Sequence, residues 1–363
     1  MSTRIAVFTA GGDAPGLNAV IRAVTRTAIL KHGWEVYGIR DGLDGVLLDR
    51  PNGVEQLTLE RVTDILPYGG TILGTVNKMD PRLYVREGGR VIVQEWAKKR
   101  LLEWVEQNSI RGIVAIGGDG TMNISYQLFE AGVPIVGVPK TIDNDLLGTD
   151  QTFGFDSAID VATDALDRLR TTAKSLKRVM ILEVMGRNAG WIALHAGIAG
   201  GAHVILIPEI PFRLEAVCQA LHHRWKRGSQ YALVVVAEAA HPVGGEPIYH
   251  EIGGTRRLGG VGEWLARRIH AECGYEARAL VLGHLQRGGS PSAFDRILAT
   301  QYGVAAVGCV AEGTFGVIVG LRGDRIQTVP MADVVGRQKL VAPDHPLVKT
   351  GRDLGISFGD EPV

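Results

Sequence analysis

Cysteine is scarce in this chain: Cys218, Cys273 and Cys309 are all that 363 residues contain, an odd number with no CxxC spacing. Neither a disulfide framework nor a zinc site is expected from such a set, and a reducing cytoplasm is the expected location. Charge of one sign is not in excess either. Lys plus Arg and Asp plus Glu both number 39, so the formal net charge is zero. No global field draws such a chain to nucleic acid or to a membrane surface, and any anion it binds has to be held by a local site. No apolar run reaches the roughly 18 residues of a membrane span, and the opening MSTRIAVFTAGG lacks the design of a signal peptide. Low-complexity linkers and repeats of about 20 to 50 residues are missing as well.

What is present is an ordinary globular balance, 45% apolar and 21% charged, over a length that exceeds a typical single domain. Two domains are expected. Short β-branched runs recur along the chain, RIAVF, RGIVAIG, PIVGVP, RVMILEV, HVILIP, YALVVVA and ARALVLG. Between them lie helical spacings, such as Ala158, Ile159, Ala162, Leu166 and Leu169, or Leu265 and Ile269. Alternation of this kind predicts an α/β protein of doubly wound, mostly parallel sheets covered by helices on both faces, with a break near residue 155. Ligands of such sheets bind beyond the carboxyl ends of the strands, so the loops there are the candidate binding sites.

Three of those loops are rich in glycine: GGDAPG at 11–16, GGDGT at 117–121 and GRNAG at 186–190. In GGDAPG the glycines permit close backbone approach before the periodic Val20, Ile21 and Val24, which suits either a phosphate cradle or a plain strand-to-helix turn. Neither GxGxxG nor GxxxxGK[ST] occurs there. Asp119 in GGDGT suits a hard cation such as Mg²⁺, bound by one or two carboxylates plus phosphate oxygens, or equally a cap for a helix beginning near Thr121. After PIVGVP comes KTIDND. Asp143 and Asp145 flank Asn144, and in an extended segment both would point one way, one serving as a base and one as an orienting group, with Lys140 and Thr141 on phosphate oxygens. A solvated Asx-rich turn fits the same letters. In the second half Arg178, the MGR at 185–187, Glu238, Arg278, His284 and Arg287 stand at strand ends, where arginine forks and a carboxylate suit a phosphorylated polyol or simply a charged surface.

The ordered set GGDAPG, GGDGT, PKTIDND, VMGR, GHLQRGGSP and DRILA closely resembles the 6-phosphofructokinase family, over about residues 4 to 300. The resemblance implies two domains with the active site in the cleft between them: 1–155 plus about 287–330 for ATP and Mg²⁺, and 156–286 plus about 331–363 for the sugar phosphate. It implies transfer of a phosphoryl group to the 1-hydroxyl of fructose 6-phosphate, with Asp143 as base, Asp119 as the magnesium ligand, and Thr141 and Arg187 stabilising the transferred group. Gly12, Asn77, Lys78, Gly120, Thr121 and Lys140 would meet the donor. Asp145, Met185, Gly186, Glu238, His284 and Arg287 would meet the sugar phosphate, with Arg178 and Arg278 reaching in from a neighbouring subunit of a homodimer or homotetramer.

The donor markers in this sequence are mixed. Lys140 stands where ATP-dependent bacterial members have glycine and pyrophosphate-dependent ones have lysine, whereas Gly120 stands where the latter carry aspartate. Room at Gly120 favours ATP, with pyrophosphate as the alternative. Asn77 and Lys78 replace a bridging arginine, with Lys78 a point charge rather than a fork, and Ile124 replaces a glycine near the adenosine. Arg22, Arg26 and Arg170 match effector-pocket positions, but His203 stands where an acidic residue is usual, so regulation by ADP or phosphoenolpyruvate is not expected. A non-catalytic regulatory subunit, or a kinase of a cofactor or lipid, is the competing class. Residues from roughly 330 to 363 carry no motif.

Overall fold

A computed structural model describes residues 2–76, 80–88, 90–252 and 255–361. In chain order the elements begin β1 (Arg4–Thr9), α1 (Leu17–His32), β2 (Glu35–Ile39), α2 (Asp44–Leu47), β3 (Val54–Leu57), β4 (Tyr84–Glu87) and β5 (Arg90–Val93). They continue with α3 (Glu95–Gln107), β6 (Ile110–Gly117), α4 (Asp119–Glu130), β7 (Ile135–Pro139) and α5 (Phe155–Leu176). Next come β8 (Val179–Val184), α6 (Trp191–Ala199), β9 (Val204–Leu206), α7 (Leu214–Lys226), β10 (Ala232–Ala237), β11 (Tyr249–Ile252), β12 (Thr255–Leu258) and α8 (Val261–Cys273). The chain closes with β13 (Ala277–Val281), α9 (Ala293–Glu312), β14 (Val317–Arg322), β15 (Arg325–Pro330) and α10 (Pro346–Asp353).

Two units result. Unit 1 comprises Met1–Thr141, Leu146–Asp156 and Arg287–Gln338; unit 2 comprises Ile142–Asp145, Ser157–Gln286 and Lys339–Val363. Unit 1 is built on a seven-stranded sheet of order β15-β14-β7-β6-β1-β2-β3, parallel except for the two edge strands. Its strands read as unbroken apolar runs because both faces are covered. Along β1, Ile5 and Val7 enter one core with Leu17, Val20 and Val24 of α1 and Leu298, Tyr302 and Ala306 of α9. Ala6 and Phe8 enter the opposite core with Ala97, Leu101 and Val105 of α3 and Met122 and Leu128 of α4. Each fully buried side chain of this size contributes about 1.5–3 kcal/mol, which is what selects helices on both faces. Strand β1 has β2 on one side and β6 on the other, both later in the chain, so the β1/β6 junction is the switch point of the sheet.

Unit 2 carries the parallel sheet β13-β8-β10-β9. Val179, Ile181, Val204, Leu206, Val234 and Val236 share one core with α7 and α8. The other face meets α6, where a Cβ on Gly197 would come within 2.6 Å of Ile205. The doubly wound α/β class is therefore the observed one.

One expectation fails here. Cys218 of α7 and Cys273 of α8 form a disulfide, with Cα atoms 5.7 Å apart across 55 residues of sequence. The packing of α7 on α8 brings the two together inside one core, which no spacing in the sequence reveals. Only Cys309 is a free thiol among the described residues, and it is buried. Closing a loop of that length is worth about 4 kcal/mol in the chain-entropy account. Cys218→Ser is expected to lower stability by that order, and reductant is expected to lower the denaturation midpoint of the parent but not of the variant. A parent that does not respond to reductant would show that the bridge contributes nothing.

Candidate active site

In unit 1 the glycine loops sit where the topology leaves room. β7, β6 and β1 are adjacent, and each runs at its carboxyl end into one of the singled-out motifs. The ladder continues past the strands: Ala10 N–H donates to Ile116 O at 3.0 Å and Lys140 N–H to Gly117 O at 2.9 Å. Gly11 is held from the side, its N–H on Val76 O at 3.2 Å and its carbonyl accepting from Thr75 Oγ1 at 2.6 Å. A side chain on Gly11 would begin 3.6 Å from Lys140 Nζ and 3.7 Å from Thr121 Oγ1, so the three loops converge within one contact distance. Lys140 is 3% exposed, and its ammonium donates to the carbonyl of Gly12. Arg287 joins from the start of a later segment, donating from Nη1 to Asp13 O at 3.1 Å and lying over Gly12. The carbonyl of buried Thr141 accepts from Thr152 Oγ1 at 2.7 Å.

Asp119 is the first residue of α4, not a cap before it. The N-cap is Gly118, with no side-chain capping bond, and the helix begins two residues earlier than Thr121. A carboxylate in a first turn is favoured by the helix dipole. Gly120 has ordinary helical backbone, and a Cβ there meets nothing within 4 Å. Ile124 packs against the α3/α4 core. Asn77 and Lys78 lie outside the described residues.

In unit 2, Asp143, Asn144 and Asp145 are all buried, at 8, 5 and 7% exposure. Asn144 has φ +52°, in the left-handed region that asparagine tolerates better than most residues. The segment is a turn rather than an extended strand, so the alternation argument for two co-facing carboxylates does not apply to it. At the carboxyl edge of the sheet, β8 ends in Met185, Gly186 and Arg187, and β10 ends in Glu238. Glu238 N–H donates to Val184 O at 2.9 Å, and its Oε1 accepts from Arg187 N–H at 2.9 Å. Gly186 has φ +144° and a Cβ there would lie 2.4 Å from Ala189 O, while Arg187 itself holds φ +52°. A tight, strained loop therefore carries the MGR motif, the kind of backbone that clusters at functional sites. His284 lies exposed in a 3₁₀ turn, Gly283–Arg287, directly after β13.

Two arginines are not brought to that edge. Arg178 precedes β8 and Arg278 pairs in register with Met180, at the amino end of the sheet. Both bind Glu276, at 3.1 and 3.0 Å. Arg178 is seven residues, and the register partner of Arg278 five residues, from Met185 along the same chain, at about 3.3 Å per residue.

Two carboxylates that the sequence did not single out organise this unit. Glu183, 2% exposed within β8, accepts from Gly260 and Gly262 N–H at the start of α8, both at 2.8 Å. Glu209 accepts from Gly190 N–H at the start of α6, at 2.9 and 3.1 Å, and burial pushes its pKa above the usual carboxylate value in spite of those bonds. A charged letter inside MILEV was the available signal for Glu183; nothing in the sequence named its partners.

His203 faces Tyr231 edge-on, with ring centroids 5.7 Å apart, and accepts Leu233 N–H at Nδ1. Burial, then Arg224 and Arg170, push its pKa from the ordinary 6.5 to about 4. Folded His203 stays neutral where the unfolded chain takes up a proton, so its contribution to stability is present above pH 6.5 and is lost as pH falls toward 4. His203→Gln is expected to flatten the fall of the urea midpoint between pH 6.5 and pH 4.5; an unchanged slope would remove His203 as its source.

Comparison with known proteins agrees with this arrangement. A sequence model of the Phosphofructokinase family matches residues 4–310. An ATP-dependent 6-phosphofructokinase of Chloroflexus aggregans is 52% identical over 360 residues, 99% of this chain and 98% of that protein. A pyrophosphate–fructose 6-phosphate 1-phosphotransferase of Amycolatopsis methanolica is 49% identical over 349 residues, 94% of this chain and 97% of that protein. The solved phosphofructokinase of Saccharomyces cerevisiae matches with a TM-score of 0.77 at 30% identity, covering 92% of this chain and 44% of that one, so this chain spans less than half of its length. With GGDAPG and GGDGT side by side at one switch point and half its residues shared with such enzymes, this chain belongs to the phosphofructokinase family.

Proposed function

We infer that this chain is an ATP-dependent 6-phosphofructokinase, transferring the terminal phosphoryl group of ATP to the 1-hydroxyl of fructose 6-phosphate to give fructose 1,6-bisphosphate. The observation that carries the reading is the convergence of Gly11, Thr121 and Lys140 beside an open Gly120 at the β1/β6 switch point. Unit 1 would hold the donor: Gly12, Gly120, Thr121 and Lys140 line its phosphates, with Asn77 and Lys78 assigned to the same role. Unit 2 would hold the acceptor through Asp145, Met185, Gly186, Glu238 and His284, with Arg287 of unit 1 as a further phosphate ligand.

Phosphoryl transfer asks a protein for positioning and charge stabilisation rather than covalent chemistry. Asp143 accepts the proton of the 1-hydroxyl as the oxygen attacks, and Thr141 and Arg187 stabilise the group in flight. Asp119 would hold Mg²⁺, which supplies charge neutralisation on the donor phosphates when bound. The fit is that of a single carboxylate in the first turn of α4 plus phosphate oxygens. Arg178 and Arg278, at the amino end of the sheet, would serve the site of a second copy, which makes a homodimer or homotetramer the working form. No described helix is long and apolar enough to cross a membrane.

A second reading, pyrophosphate as donor, is favoured by Lys140, by Ile124 and Asn77 in place of the residues usual beside ATP, and by the 49% identity to a pyrophosphate-dependent relative. Steady-state rates with fructose 6-phosphate and Mg²⁺, run in parallel with ATP and with pyrophosphate, separate the two. Turnover with ATP is expected; turnover with pyrophosphate only would reverse the donor, and turnover with neither would leave the non-catalytic subunit.

A further inference from the structure

The stretch after β15, without a motif in the sequence, delivers one side chain to the Asp143 turn. Within unit 2, Lys339 Nζ donates to Asn144 Oδ1 at 2.9 Å, and its backbone N–H donates to Asp145 O at 2.8 Å. Its carbonyl accepts from Trp191 Nε1 at 2.7 Å, and its ammonium lies 5.7 Å from the centroid of the Trp191 ring. Two residues on, Val341 N–H donates to Glu209 Oε1 at 2.8 Å, and the same carboxylate holds Gly190 at the start of α6. Lys339 is thus grasped from behind by Trp191 and, through Val341, by Glu209, and grasps Asn144 and Asp145 in front.

That arrangement is built for rigidity. Asn144 sits in left-handed backbone between two acidic residues, a conformation asparagine can adopt and its neighbours here hold in place. One ammonium donor on its side chain and one amide donor on the next carbonyl fix the turn on the far side of Asp143. Trp191 and Glu209 bring in the start of α6, which directly follows the MGR loop, so the orientation of Asp143 and the start of that helix share one fastening.

We propose that Lys339 is a positioning residue for phosphoryl transfer, holding the turn that aims the Asp143 carboxylate; this rests on Asp143 being the base. Lys339→Leu keeps the aliphatic stem and the backbone bonds and removes the ammonium. Misplacing a reacting group by about 1 Å costs about 100-fold in rate. The variant is expected to lose kcat by about 10- to 100-fold with KM for fructose 6-phosphate little changed and a melting temperature near the parent's. Lys339→Gln, which retains a donor, is expected to fall between the two and stands in should the leucine variant not fold.

The decisive arm is a cycle with Asp143→Asn. If Lys339 acts through Asp143, removing the ammonium from a chain that already lacks the base costs no further turnover. Losses that multiply in the double variant, or parental kcat in both Lys339 variants, or a kcat loss matched by unfolding, would overturn the proposal. Near-parental turnover of Asp143→Asn alone is a different result: it removes the base itself, and the positioning role with it.

Discussion

Asp143→Asn is expected to bind fructose 6-phosphate as the parent does and to lose kcat by about 10²- to 10⁴-fold, the range in which a positioned base contributes. Asparagine keeps the shape of a side chain that is 8% exposed, so the turn has no cavity to collapse into and no new bulk to accommodate. What disappears is the ability to take a proton. KM for the sugar phosphate, which reports groups such as Glu238 and His284 on the proposed assignment, should move little. An interaction that is made only as the hydroxyl is deprotonated is lost from kcat and kcat/KM alike. The limb of the parent's pH–rate profile that reports the base should also vanish from the residual activity. Steady-state kinetics with both substrates varied, together with a melting curve, checks this; turnover within a few-fold of the parent would strip Asp143 of its role.

Gly120→Asp is expected to separate the two donors. The position lies in the first turn of α4, its backbone is ordinary helix, and a Cβ there meets nothing within 4 Å, so the substitution should fold. A second carboxylate beside Asp119 is even favoured locally by the helix dipole. Its cost falls on the donor. Two like charges about 4 Å apart at a protein surface repel by about 4 kcal/mol, and each 1.4 kcal/mol is about tenfold in an equilibrium. ATP, which would bring its α-phosphate to that place, should lose about 10²- to 10³-fold in kcat/KM on this estimate. Pyrophosphate, which has no such group, should not lose in proportion. Lys140 is left in place throughout, since its ammonium is engaged with the carbonyl of Gly12 and is part of the framework of the first loop. ATP kinetics unchanged in Gly120→Asp would show that the open space at this residue has no part in choosing the donor.

The fold class was legible because both faces of each sheet are buried, and a strand buried twice writes itself as a continuous apolar run. RIAVF, GIVAI and YALVVVA are such runs, and the helices between them carry their own period. The loops at the ends of β1 and β6 were legible because glycine is needed where backbones approach, and the loop after β7 because KTIDND sets charged residues directly after an apolar run. What the letters did not contain was conformation and company. The letters around Asn144 suit an extended segment, and only its φ of +52° shows a turn. Asp119 has the letter of a cap, yet it is the first residue of its helix. Cys218 and Cys273, 55 residues apart, meet because two helices pack, which is a property of the core rather than of either cysteine. Lys339 had no neighbour in sequence to give it meaning, and its partners Asn144 and Trp191 are 195 and 148 residues away.

Glu183 and Glu209 have a consequence for how each unit can recognise a phosphate. At the starts of α1 and α4 the N-cap residues are Gly16 and Gly118, which have no side chain of their own to cap with. At the starts of α6 and α8 the amides of Gly190, Gly260 and Gly262 are already answered by carboxylates. Unit 2 thus sets its own carboxylates against helix starts, where unit 1 begins its helices after glycine. A phosphate that approaches unit 2 would meet repulsion at those helix ends and has to be met by long cationic side chains, which salt screens and which can swing. A phosphate at unit 1 would rest on backbone amides and on Lys140, whose buried ammonium is already fastened to the carbonyl of Gly12. Raising ionic strength should therefore weaken the sugar phosphate more than the donor, a difference written into the fold by two glutamates that touch neither ligand.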